Sequence, residues 1–162
     1  MRLYVNGEPN DIVVDDNFPY DPRPEKDCWL FSRDTTENEI WVQILEKAYA
    51  KVYGSYEVVE GGKPYQALAN LTGFPSDVLY HDEIGGDNLW KVILIGARKD
   101  QPMVASVNSV SLGQSDTIKT KGLADHHAYT LIHALTVFDE NDQFVRLVKI
   151  RNPYGSRSKR EW

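Results

Sequence analysis

"HAYTLIHALTVFDENDQFVRLVKIRN", residues 127–152, holds two runs rich in Val, Ile, Leu, Thr and aromatic residues on either side of the polar segment "ENDQ", residues 140–143. Such runs suit a pleated, half-buried surface, and a short polar link lets the chain fold back on itself. The stretch therefore reads as an antiparallel hairpin. In a hairpin the start of the first strand lies beside the end of the second. His127 opens the first run and Asn152 closes the second, with the midpoint between them close to the turn. Within a slip of a residue or two, which a bulge could absorb, the two are expected to be cross-strand neighbours at the open end of a sheet.

A His beside an Asn has a specific chemical use. The imidazole can take a proton from a thiol, and the amide oxygen can fix the ring's orientation and tautomer. The pattern alone leaves an ordinary structural His–Asn hydrogen bond open, since the chain also offers His81, His126 and His133. A zinc site from His126, His127 and His133 is a third possibility. It lacks the HExxH spacing, and adjacent histidines on a strand would diverge.

Working outward, "LWKVILIGARKD" and "MVASVNSV" also read as strands, so the later part of the chain is expected to be mainly antiparallel β. "YQALANLTGF" suits a short helix, and Gly61 with Gly62 marks a boundary between two lobes. Before that break lies the clearest element. Ile40, Trp41, Ile44, Leu45, Ala48, Tyr49 and Val52 recur at helical spacing, with a capping-box pattern at Thr36 and Glu39 and Gly54 as the C-cap. Alternation in "DIVVDD" predicts a short strand, the run with Pro19, Pro22 and Pro24 an extended loop, and "CWLFS" a return to β. The fold class expected is α+β.

The formal net charge of −6 over 162 residues excludes a nucleic-acid partner held through phosphates, which needs clustered Lys and Arg. Arg157, Lys159 and Arg160 form the one basic cluster and read as a solvated tail. The N-terminus has no apolar signal core, and the longest uninterrupted apolar stretch, residues 92–95, cannot span a bilayer, so no membrane partner is expected. A lone cysteine, Cys28, cannot form an internal disulfide, which suits a reducing, cytoplasmic setting.

Three segments, in order, carry a family resemblance. "GLADHHAYTLIHAL" followed by "LVKIRNPYG" resembles the calpain signature, in which a Gly-Leu segment leads to His-Ala-Tyr and then to Arg-Asn-Pro-Trp-Gly. "IWVQILEKAYAKVYGSYEVVEGG" resembles the calpain helix that ends in Gly-Ser-Tyr-Glu and a Gly-Gly break, and "IVVDDNFP" the Val-Asp-Asp-x-x-Pro strand and turn. The resemblance implies that His127 is the catalytic histidine and Asn152 the catalytic asparagine. His126 stands where calpains usually have Gly, and Tyr154 where they usually have Trp.

The nucleophile of this family lies in a Gly-Asp-Cys-Trp segment ahead of the Val-Asp-Asp strand, whereas Cys28 follows "VVDD". Cys28 is therefore read as a strand residue, and its local "DCW" as coincidence. The resemblance implies part of a papain-like cysteine proteinase fold, with residues 1–62 the end of the first lobe and 63–162 a second lobe truncated at its C-terminus. One long helix would come from the first lobe, and the second would be mainly antiparallel β. The chain would contribute the catalytic His and Asn to a calcium-dependent endopeptidase of intracellular proteolysis, and would be inactive alone for want of the first-lobe Cys segment. Its substrate would be an extended protein or peptide in the inter-lobe cleft. Of the family's calcium-site pattern only Glu161 matches, and one carboxylate cannot supply the roughly six to eight oxygens calcium prefers, so tight binding by this chain is not expected. Asp139, Glu140 and Asp142 lack the Gly and terminal Glu of an EF-hand and read as a solvated turn. The alternative is a non-catalytic calpain-fold module that binds peptides or partner proteins.

Overall fold

The computed structural model describes residues 1–23, 28–32, 39–107, 122–124 and 126–153. The chain divides into two compact units, Met1–Asp77 and Val78–Trp162.

The first unit opens with a hairpin of β1 (Arg2–Val5) and β2 (Glu8–Asp11), paired antiparallel with Leu3 opposite Asn10. Its two-residue turn is Asn6-Gly7, with φ of 53° and 82°; the pairing of two positive-φ residues is what a tight, right-twisted hairpin requires. Leu3 is the fully buried residue of this hairpin. The strand expected over "DIVVDD" is not formed: β2 ends at Asp11. Ile12 still exchanges hydrogen bonds with Met1, its N–H to the Met1 carbonyl at 2.7 Å and the Met1 ammonium to the Ile12 carbonyl at 3.0 Å. Beyond it Val13 is exposed and Val14 half-buried. There Lys51 Nζ donates to the Val13 carbonyl at 2.6 Å, and Lys47 Nζ to Asp15 Oδ1 at 2.6 Å and the Asn17 carbonyl at 2.5 Å, so two lysines strap the segment to a helix.

That helix is α1 (Trp41–Tyr53), which follows a short antiparallel pair, β3 (Tyr20–Asp21) and β4 (Cys28–Trp29). Ile40 is its N-cap and Gly54 its C-cap, where the Gly54 N–H reaches the Ala50 carbonyl at 2.8 Å. Thr36 of the expected capping box lies outside the described residues, and the Glu39 carboxylate accepts from Trp41 Nε1 at 3.3 Å. Of the expected face, Ala48 is buried and Ile44, Leu45, Tyr49 and Val52 are half-buried, whereas Ile40 and Trp41 at its start are exposed; Gln43 and Ala50 are buried as well.

Next comes α2 (Pro64–Thr72), the short helix expected from "YQALANLTGF", with Pro64 at N1 and Gly73 as a left-handed C-cap. It packs on β1 and therefore belongs to the first unit. Gly73 is needed twice over. Its φ is +76°, and a Cβ there would lie 2.7 Å from the Tyr4 ring.

The second unit starts with α3 (His81–Ile84) and α4 (Gly86–Arg98) and continues into a three-stranded antiparallel sheet, ordered β5 (Met103–Val107), β6 (His127–Phe138), β7 (Phe144–Arg151). The strand expected over "LWKVILIGARKD" is instead the 13-residue α4. Its β-branched run suggested a strand, yet Leu89, Trp90, Ile93, Leu94 and Ala97 are half-buried while Lys91, Val92 and Ile95 are exposed, which is helical periodicity. The second unit is thus α+β with a long helix of its own. Gly96 allows this helix to approach β5, since a Cβ would come 2.6 Å from Met103 Sδ. At the other edge Arg146 on β7 donates to Asp87 Oδ1 at 2.5 Å and lies 5.8 Å from the Trp90 ring centroid, fastening α4 to the sheet. The Arg146 hydrogen bond, then its charge, holds the Asp87 carboxyl below its usual range.

Candidate active site at the open end of the sheet

β6 is the central strand, so both neighbours position its first residue. His127 is opposite Val107 on β5, and β7 pairs along the rest of β6 from Phe138↔Phe144 back to Thr130↔Arg151. The β6–β7 turn is closed by Asp139, whose Oδ1 accepts the N–H groups of Asn141 and Gln143 at 2.8 and 2.9 Å. That carboxylate is occupied in shaping an exposed turn, as its sequence suggested.

One irregularity decides the geometry. The register shifts between Leu131 and His133: Leu131 is opposite Ile150 and His133 opposite Lys149, so Ile132 is the extra residue of a bulge. Threaded into a regular ladder, Ile132 would pair with Ile150, and Asn152 would fall opposite Thr130, on the face His127 does not share. With the bulge, the register runs on to place Asn152 opposite Tyr129. His127 and Tyr129 are two apart on one strand and lie on one face. His127 and Asn152 are thereby diagonal neighbours on that face.

Proline finishes the placement. Pro153 has no N–H to extend the ladder and biases the residue before it toward extended backbone, so β7 stops at Arg151 and Asn152 is left at the sheet's mouth, half-buried. There Asn152 Oδ1 lies 2.8 Å from His127 Nε2. An amide oxygen only accepts, so the contact requires a proton on Nε2, and in the neutral ring the lone pair is then on Nδ1. The approach of these two side chains was expected from the sequence, within a slip that a bulge could absorb; the bulge sits at Ile132.

His126 differs from the expectation in how it is set apart. It is a turn residue at φ +49°, exposed, just before β6, rather than a strand residue on the opposite face. His133 and His81 are exposed, on β6 beyond the bulge and at the start of α3. Among the described residues no three His, Cys, Asp or Glu side chains gather into a group that could hold a metal ion. Glu161, Tyr154 and the basic cluster lie outside the described residues. Cys28 is a β4 residue, its backbone paired with Asp21, not the first residue of a helix.

Sequence reasoning passed over Tyr129. It is 4% exposed, and its ring meets the His127 imidazole edge to face, with centroids 4.8 Å apart and planes at 89°. Its hydroxyl accepts the Ala124 N–H at 2.7 Å. The signal was available, because His-x-Tyr on a strand puts both rings on one face.

An imidazole oriented through Nε2 by a half-buried amide, with Nδ1 as acceptor, has the chemistry to take a proton from a thiol. The family described as calpain family cysteine protease matches residues 1–162. The chain is 30% identical over 155 residues to calpain-9 of Mus musculus, covering 96% of this chain and 22% of that protein. It is 35% identical over 156 residues to the calpain-1 catalytic subunit of Rattus norvegicus, covering 96% and 21%. It is 34% identical over 168 residues to the calpain-type cysteine protease ADL1 of Oryza sativa subsp. japonica, covering 100% and 7%. The chain belongs to the calpain family of cysteine proteases, and it spans about a fifth or less of the length of these relatives.

Proposed function

We infer that residues 1–162 form the part of a calpain-type endopeptidase that supplies the catalytic base, His127, and the residue that orients it, Asn152. The observation that supports this reading is the 2.8 Å contact between His127 Nε2 and Asn152 Oδ1, since a ring that donates from Nε2 to the amide oxygen accepts a proton through Nδ1. In the reaction a cysteine thiol from a separate first-lobe segment gives its proton to Nδ1, and the thiolate attacks the scissile carbonyl carbon. As the C–N bond breaks, the imidazolium returns that proton to the leaving amine. Water, giving a proton to the same nitrogen, then attacks the thioester carbon; the C–S bond breaks, the carboxylic product leaves, and the imidazolium returns its proton to the departing thiolate. Asn152 transfers no proton. It holds the ring through both steps.

Cys28 is not assigned as that thiol. It follows the Val-Asp-Asp segment that the family's nucleophile precedes, and its backbone lies in β4. Extended protein segments are the substrate class, in the setting of cytoplasmic proteolysis. Calcium would act on the complete enzyme. Glu161 matches the family's calcium-site pattern, and one carboxylate cannot complete a coordination shell alone.

The test is hydrolysis of an unstructured protein substrate by the chain alone, with and without calcium, and by the chain joined to a first lobe carrying Gly-Asp-Cys-Trp. Activity should require the joined form. Hydrolysis by the chain alone that disappears in Cys28→Ser would reverse the assignment of the nucleophile.

A further inference from the structure

The hydrogen bond to Asn152 sets the position of one atom of the half-buried His127 ring, and the plane of that ring depends on its other neighbours. Tyr129 is anchored in the core at 4% exposure and stands two residues along the same face, with its ring at 89° to the imidazole and 4.8 Å away. Edge-to-face aromatic contacts have a preferred geometry, so a fixed ring on one side restricts the plane of the other.

The hydroxyl of Tyr129 acts on a second part of the site. It accepts the Ala124 N–H at 2.7 Å and so ties down residues 122–124, from which the chain turns through His126 at φ +49° into the strand. The register continued past Thr130↔Arg151 also places Asn152 opposite Tyr129. One buried side chain therefore touches the base and the segment leading to it, and sits in line with the base's partner.

We propose that Tyr129 is a positioning residue for His127: its ring sets the imidazole plane and so holds Nε2 on Asn152 Oδ1, while its hydroxyl separately holds the Ala124 amide ahead of the strand. The proposal rests on His127 being the base and adds the group that holds it. Tyr129 acts through His127 and touches no reacting atom.

The test is proton exchange at His127 Nε2 and at the Ala124 amide, read by 1H–15N NMR on the 162-residue chain. In the wild type both protons are expected in slow exchange. Tyr129→Phe keeps the ring and removes the hydroxyl, so Ala124 exchange should speed by about tenfold while Nε2 stays within about threefold of wild type. Tyr129→Leu removes the ring, and Nε2 exchange should rise by about tenfold or more, with the His133 signals unchanged as an internal control. Slow Nε2 exchange in a folded Tyr129→Leu chain overturns the role of the ring, and unchanged Ala124 exchange in Tyr129→Phe overturns that of the hydroxyl. Should the leucine variant unfold, the phenylalanine variant still decides the second. Fast Nε2 exchange in the wild type overturns the proposal together with the His–Asn reading beneath it, whereas failure in the variants alone leaves that reading standing.

Discussion

His127 and Asn152 meet across a diagonal of the β6–β7 ladder, at 2.8 Å, because the strand between Leu131 and His133 carries one residue more than its partner. The bulge converts a register that would separate the two side chains onto opposite faces into one that brings them together.

This makes a directional prediction about chain length. Deleting Ile132 should straighten β6 while keeping the Leu131↔Ile150 and His133↔Lys149 pairs, so the His127–Asn152 contact survives. Inserting one alanine after Ile150 should move Asn152 opposite Ala128 and remove it from His127's face. Nuclear Overhauser effects between the two side chains should persist in the first variant and vanish in the second.

The glycines make a paired test of stability. Gly73→Ala forces a left-handed backbone on alanine and drives its Cβ to 2.7 Å from the Tyr4 ring. It should cost about 1–3 kcal/mol or more. Gly61→Ala meets nothing within 4 Å and should change stability by no more than about 0.5 kcal/mol. Urea denaturation of the two variants distinguishes a packed helix terminus from an open loop.

Asp15 reports the lysine strap. Its carboxyl is lowered to about 2, first by the Lys47 hydrogen bond and then by the Asn17 backbone N–H. A depressed carboxyl contributes stability above its unfolded value, and loses it as pH falls through about 2. In Lys47→Met the Asp15 titration should move up toward the usual carboxylate range, as carboxyl NMR would show, and an unmoved titration would remove Lys47 as the cause.

The elements that the sequence made legible are those whose signal is local. The α1 stripe with its Gly54 cap, and the β6–β7 hairpin around "ENDQ", need only periodicity and turn chemistry to be recognised. The misreadings came from patterns with two solutions. Val92, Ile93 and Ile95 favour a strand by residue type, but the burial of Leu89, Ile93 and Ala97 on one side of α4 shows that packing on the sheet overrode that preference. Alternation at residues 12–14 is genuine, yet only Ile12 joins the ladder set by the Asn6-Gly7 turn, through Met1, and past it lysines of α1 hold the backbone. At the site, both ends of the hairpin could be named, to within a slip that a bulge could absorb. Its position at Ile132 depends on how two strands settle against each other, which no single strand encodes.

The most direct measurement of the central claim is turnover by this chain joined to a first lobe that supplies Gly-Asp-Cys-Trp, with calcium, comparing wild type, His127→Ala, Asn152→Ala and the double variant. Calcium-dependent proteolysis should appear in the wild type. His127→Ala should lower kcat by at least about a hundredfold, since the thiol loses its proton acceptor. Asn152→Ala should keep measurable activity, because it orients the base without carrying a proton, and the double variant should be scarcely worse than His127→Ala. Full activity in His127→Ala, with the lobes shown to be assembled, would contradict the account and leave a non-catalytic, peptide-binding role for this part of the chain.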